Sequence, residues 1–248
     1  MTRLTKLVLL PFAAATLVPA IAAAEVSQPQ EIIHRPLTAP EGQAEARGTL
    51  SFGITPDATA TFLDITGGYG ITNQFEIRAG YGLTLDPFEA KGALGAALGV
   101  SLTDTGNFAI AGRAGLAYDL ASEALAPFEA GLDIRFKLNE QVAIYSLAPH
   151  LSIALEETGD ARPISAFIPV SLGFQATPQI FAGVSTSIAT LNISDSATSF
   201  IFADRTPLGV SLFFSPSNTI DLGASVGWAD IVDSADVLSI ALSAALYL

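Results

Sequence analysis

Phe128-Glu129-Ala130-Gly131-Leu132-Asp133-Ile134-Arg135-Phe136-Lys137-Leu138 alternates residue by residue. Successive side chains of a strand point to opposite faces, so Phe128, Ala130, Leu132, Ile134, Phe136 and Leu138 share one face and Glu129, Gly131, Asp133, Arg135 and Lys137 the other. A soluble core has no use for a face of four charges and a glycine in register. A strand with hydrocarbon on one side and water on the other requires it. The preceding stretch behaves alike: Phe108, Ile110, Gly112, Ala114, Leu116 and Tyr118 oppose Ala109, Ala111, Arg113, Gly115, Ala117 and Asp119. So does the C-terminal end, where Leu238, Ile240, Leu242, Ala244, Leu246 and Leu248 oppose Val237, Ser239, Ala241, Ser243, Ala245 and Tyr247.

Working outward, twelve alternating segments can be marked, over 48–55, 60–71, 75–84, 91–103, 108–120, 127–138, 142–155, 163–175, 179–190, 201–214, 219–229 and 237–248. The connections differ by turns. Thr72-Asn73-Gln74, Asp104 to Asn107, Asn139-Glu140-Gln141, Ala176-Thr177-Pro178 and Ser215 to Asn218 are tight and polar, while the others are mostly longer and acidic. This is the pattern of an all-β chain: a transmembrane antiparallel up-and-down β-barrel of about twelve strands, short turns on the periplasmic side and long loops outside. Aromatic residues towards strand ends predict two interfacial girdles. Tyr69, Phe75, Phe108, Phe136, Phe174, Phe214 and Tyr247 fall to the periplasmic one, and Tyr81, Tyr118, Phe128, Phe202 and Trp228 to the outer one.

Composition agrees. Half of the residues are hydrophobic and the mean hydropathy is +0.48, yet beyond Ala24 no uninterrupted apolar run of about 18 residues occurs. Hydrocarbon admits only helices and closed barrels, because each unpaired backbone group costs several kcal/mol there, about 2–7. Arg3 and Lys6 precede an apolar run from Leu7 to Ala23 that closes on Ala22-Ala23-Ala24, which reads as a secretory signal peptide over 1–24. Residues 25–47, with Pro29, Pro36 and Pro40 and no sustained period, read as a flexible periplasmic arm ahead of a barrel over 48–248. Export to the outer membrane of a Gram-negative bacterium follows. The implied partners are outer-membrane lipid and lipopolysaccharide, the barrel-assembly machinery during insertion, and small solutes or ions. Without the signal, nine Lys and Arg face 24 Asp and Glu, a net charge of −15, which excludes nucleic acid as a natural partner.

Three quoted stretches carry a family resemblance: Tyr69-Gly70-Ile71-Thr72-Asn73-Gln74-Phe75-Glu76-Ile77, Arg35-Pro36-Leu37-Thr38-Ala39-Pro40-Glu41-Gly42 and the C-terminal alternating strand. They resemble bacterial outer-membrane barrels, in particular the group described as phenol-degradation MetA-pathway or transporter-like barrels. The resemblance implies a barrel and a transport role, with no defined substrate. Barrels of this kind commonly end in an aromatic residue, whereas this chain ends Tyr247-Leu248.

The inward register is mostly Gly, Ala, Ser and Thr with sparse charges. Asp64, Glu76, Arg78, Arg113 and Asp119 are pore-lining candidates, as are Glu129, Asp133, Arg135, Lys137 and Asp221. Neighbours such as Arg113 with Asp133, or Glu76 with Arg78, either line a polar constriction or satisfy one another across strands. Twelve strands with small inward residues leave room for a narrow, weakly selective passive pore, and plugging by the arm or a loop stays open. A non-conducting structural or surface-interaction barrel is the alternative. Asp86, Glu89, Glu123, Glu156, Glu157, Asp160, Asp195, Asp230, Asp233 and Asp236, with few bases such as Lys91 and Arg162, suggest an acidic mouth that concentrates cations. Catalysis is the remote reading. His150-Leu151-Ser152 places a histidine and a serine on one face, with Glu156 and Glu157 nearby but no orienting Asn. No cysteine, His pair or nucleotide motif points to a metal or cofactor.

Overall fold

The computed structural model describes residues 28–88, 92–155, 164–193, 198–201, 206–232 and 234–248. The leader read over 1–24 lies outside them, as do Phe202, Lys91, Arg162 and the loop carboxylates Glu89, Glu156, Glu157, Asp160, Asp195 and Asp233.

Twelve staves form the wall: β1 (Ala44–Ile54), β2 (Thr59–Gly70), β3 (Phe75–Asp86), β4 (Ala93–Asp104), β5 (Phe108–Asp119) and β6 (Phe128–Lys137). They continue as β7, in pieces Val142–Ser146 and Leu151–Ile153, β8 (Ile164–Thr177), β9 (Ile180–Ile193), β10, in pieces Thr198–Ile201 and Leu208–Ser217, β11 (Ile220–Asp230) and β12 (Ser234–Tyr247). Each stave pairs antiparallel with its chain neighbours, and the sheet closes where β12 meets β1, from Ile54 opposite Leu238 to Glu45 opposite Tyr247. The seam runs to the last residue: Ala44 N donates to Leu248 O at 2.8 Å and Leu248 N to Ala44 O at 2.9 Å. Closure leaves no edge strand, which is what a lipid-facing sheet requires.

The five tight turns share one device, a short polar side chain accepting from backbone N–H groups of its own turn. Thr72 Oγ1 accepts from Gln74 N and Phe75 N, both at 3.1 Å, and Asn139 Oδ1 accepts from Gln141 N and Val142 N at 2.8 and 2.9 Å. Thr105, Thr177 and Ser217 act likewise. All five lie at the end of the barrel that also holds Ala44 and Leu248.

Outward positions carry exposed apolar side chains, Leu98, Leu132, Leu172, Leu212 and Leu242 at mid-strand among them. Tyr69, Phe75, Phe108, Phe136, Phe174 and Phe214 form an exposed aromatic ring at the tight-turn end. Tyr247 does not belong to it. Strand parity turns Tyr247 inward, where it is 8% exposed and its hydroxyl donates to Asp221 Oδ2 at 2.9 Å, so the girdle expected of it is corrected to a lumen role.

Two stretches differ from the sequence pattern. Pairing begins at Ala44 rather than Gly48, because the inward parity of Thr49 and Ser51 continues back through Arg47 and Glu45. β7 is interrupted after Ser146, and the Leu147–His150 excursion folds to the inner side, where Ala148 N donates to Asp133 Oδ1 at 2.8 Å. Gly131 lies directly beneath it, next to His150 and Ala148.

The outward register is testable at mid-bilayer. Leu98→Arg is expected to destabilise the barrel by about 2–4 kcal/mol in reversible urea unfolding from lipid vesicles. An unchanged midpoint would place Leu98 away from lipid.

Candidate functional site: a lumen crossed by the arm

Gln28 to Gln43 lie inside the barrel at the tight-turn end. A single 3-10 turn, Ile32–His34, presents Ile33, which is 0% exposed, to Ala143, Tyr145 and Phe181 on the walls of β7 and β9. Tyr145 and Phe181 meet edge to face, with ring centroids 6.2 Å apart. The two rings cover Gly173 of β8 so closely that any Cβ there would overlap them. Further along the arm, the carbonyls of Ala39 and Pro40 press on Gly70 of β2, where a side chain would likewise collide. Glycines on the inner face are thus the seats on which the arm and its socket rest.

Polar contacts hold the arm to opposite walls. The Arg35 guanidinium forms a two-pronged pair with Asp221 of β11, its Nη2 at 2.9 Å from Oδ1, and stacks 5.3 Å from the Tyr247 ring centroid. Its carbonyl accepts from Arg135 of β6, five staves away in a ring of twelve. Leu37 O accepts from Arg113 Nη2 at 2.7 Å, and Ala39 N donates to Glu76 Oε2 at 2.7 Å. Ile33 N donates to Gln175 Oε1 at 3.2 Å. The segment read as a flexible arm is, from Gln28 on, a strut across the lumen. Its apolar residues are the reason: Ile33 gains about 1.5–3 kcal/mol from a site that excludes water.

Docking has a cost as well. Gln28 Nε2, Arg135 Nε and Tyr145 Oη are buried with no hydrogen-bond partner among the described residues, each a penalty of about 1–3 kcal/mol.

Along the wall the charges alternate. Arg47 Nε meets Glu45 Oε1 at 2.9 Å, Arg78 Nη2 meets Glu45 Oε2 at 3.1 Å and Arg78 Nε meets Glu76 Oε1 at 3.0 Å. Arg113 joins Glu76 to Asp133, and Arg135 Nη2 reaches Asp104 Oδ2 at 3.4 Å. Ser215 Oγ donates to Asp221 Oδ1 at 2.6 Å. Lys137 Nζ lies 3.2 Å from His34 Nδ1 at the rim. Between arm and wall remains a cavity of about 380 Å³.

Of the ten candidates, Glu76, Arg78, Arg113, Asp133, Arg135, Lys137 and Asp221 therefore gather around the arm. Asp64 and Glu129 point inward towards the other end of the lumen and are exposed. Asp119 stands apart, at the far rim, where Ala121 N at 2.8 Å and Ser122 Oγ at 2.8 Å bond its carboxylate within its own turn. Arg35, Glu45, Arg47, Asp104, Tyr145, Ser215 and Tyr247 were not among the candidates. The inward parity carried back from Thr49 finds Glu45 and Arg47, and the lone Ile32-Ile33 pair in a polar arm marks the peg.

The other sequence readings have definite structures. His150 pairs with Ser146, not Ser152: Nδ1 accepts from Leu132 N at 3.2 Å, so Nε2 donates to Ser146 Oγ at 2.8 Å, and that hydroxyl donates to Pro169 O at 2.7 Å. A histidine that donates to its serine cannot take that serine's proton, and the trio ties the broken β7 to β8. Asp230, expected at an acidic mouth, is 6% exposed and accepts from Thr206 N at 3.3 Å and Val232 N at 3.0 Å. Among the described residues no group of three or more His, Asp or Glu is placed to hold a metal ion.

No protein-family model matches the chain, and no curated protein matches it in sequence. Solved structures do match in shape. The NanC porin gives a TM-score of 0.59 at 8% identity over 82% of this chain and 98% of that one. The KdgM porin gives 0.55 at 9% identity with the same coverage. A KdgM structure described as a complex with disordered oligogalacturonate gives 0.56 at 9%, again over 82% and 98%. At these identities the likeness is one of fold.

Truncating the peg tests the docking. Ile33→Ala is expected to weaken arm docking by about 2 kcal/mol or more, raising cleavage by a glutamate-specific protease after Glu31 roughly thirty-fold in the folded barrel. Cleavage at the wild-type rate would mean that the socket does not hold the arm.

Proposed function

We propose that the protein is an outer-membrane barrel for passive diffusion of ions or small solutes, with a narrow, weakly selective path. The observation that carries this reading is the state of the inner face beyond the arm: Asp64 and Glu129 point into the lumen and are exposed, so water fills it. Many inward positions around them are small, such as Thr49, Ser51, Gly95, Gly115, Ser225 and Ser239, with Phe62, opposite Ser51, a large exception. A packed core would carry large apolar residues there. The arm narrows the tight-turn end, and weak selectivity follows from charges of both signs at similar numbers. The shape shared with barrels described as porins fits this reading, and the Tyr69–Ile77 and Arg35–Gly42 stretches keep the narrower kinship with MetA-pathway barrels a working proposal. Lipid and lipopolysaccharide surround the belt, the assembly machinery inserts it, and the tight turns with the arm face the periplasm.

A second reading has its own support. The strut from β11 to β6 crosses the lumen close to a diameter, as in a barrel that does not conduct and whose business lies in its loops.

Planar-bilayer recordings separate the two. The chain from Glu25 is expected to show small steps, and a form lacking residues 25–42 steps several-fold larger, as pore area grows when a strut is withdrawn. Silent insertion of both forms would contradict the channel and leave the structural barrel.

A further inference from the structure

The ladder beside the arm is balanced in number but not in what it shows to a solute. The side chains of Arg47, Arg78 and Arg113 are 33%, 30% and 21% exposed, whereas those of Glu45, Glu76 and Asp133 are 7%, 0% and 6% exposed. Glu45 and Asp133 border the cavity too, but as buried groups, so the charge most open to a solute there is that of the guanidiniums. The carboxylates are also used up: both Glu45 oxygens accept from arginines, and Glu76 accepts from Arg78, Arg113 and Ala39 N. Asp133 accepts from Arg113 and Ala148 N.

The arginines retain donors. A guanidinium carries five N–H groups. Arg47 engages Nε, on Glu45, and Nη2, at 3.2 Å from Tyr247 Oη. Arg78 engages Nε and Nη2. Nη1 of each has no partner among the described residues, and both side chains border the same cavity, which at about 380 Å³ suits a small organic molecule. Glu45 grips both from behind and fixes their spacing, so a ligand meets a preset pair of donors.

We propose that the free edges of Arg47 and Arg78 form a subsite for a small carboxylate anion, and that the constriction favours anions although the whole chain is strongly acidic. A carboxylate offers two acceptors in the plane that guanidinium recognises. Sodium or potassium would find only occupied, buried carboxylates there. The selectivity part rests on the channel reading above; the site itself does not.

The test uses the full chain from Glu25 and D-glucuronate as probe, with D-glucose as the uncharged control. In a KCl gradient the reversal potential is expected to favour chloride, and glucuronate, unlike glucose, to reduce the current. Arg47→Gln leaves Arg78 to hold Glu45, and is expected to lower the chloride preference and to weaken glucuronate block about ten-fold, with unchanged gel mobility of the unheated protein. A potassium preference in the native chain, or equal block in the variant, overturns the proposal. Should the barrel insert without conducting, the channel reading fails and calorimetric titration of glucuronate into the protein in micelles decides the site. Heat lost in Arg47→Gln supports it, and unchanged heat in that variant, or no heat in the native chain, refutes it.

Discussion

A sheet in hydrocarbon can leave no backbone group unpaired, and from that requirement the rest of this molecule follows. The β12–β1 seam, closed to Leu248, removes the edges. Closure then divides every strand into an outer half for lipid and an inner half that has no exit. Charged side chains on the inner half must be solvated by water or by one another, and in this barrel both solutions occur at different depths. Asp64 and Glu129 meet water, while Glu76, Asp133 and Asp221 are buried among arginines.

The arm belongs to the second solution. Buried ion pairs stabilise only when geometry is good and the spare hydrogen-bonding capacity is met, since desolvating each ion costs several kcal/mol and removing one partner destabilises by about 3–5 kcal/mol. Here the arm supplies part of that capacity through Arg35, Leu37 O and Ala39 N, so the wall network and the docked segment complete each other. Ile33 adds an apolar anchor, and three unpaired buried groups subtract from the gain. The resulting structure is an end of the lumen where part-exposed cations pair with buried anions, next to a wider stretch that holds Asp64, Glu129 and many small residues.

Much of this was legible in the sequence because parity is a local property. The alternation in Phe108–Asp119 and Phe128–Lys137 gives the face of each residue without any knowledge of partners, and the polar turns follow from the same reading. Parity also put Tyr247 inside, but its place near the chain end suggested an interface aromatic, and only its bond to Asp221 decides between them. The docking of the arm was not legible. Three prolines and no period describe its backbone truthfully, while the reason it stays lies in Gly70, Gly173 and Tyr145, residues distant in sequence whose close approach no spacing reveals. The inward step of β7 is hidden in the same way, since it depends on Gly131 and Asp133 across the strand pair.

The arm lies docked in the folded barrel, with Ile33 closed off from solvent. The sequence contains no cysteine, so a single one introduced at Ile33 can be read alone against one at Asp57, an exposed position in the first loop. The most direct measurement is the rate at which each reacts with a small charged maleimide in the folded protein. Cysteine at position 33 should label at least about ten-fold more slowly than at 57 and catch up on unfolding. Equal rates in the folded barrel would show that the lumen is not crossed by the arm.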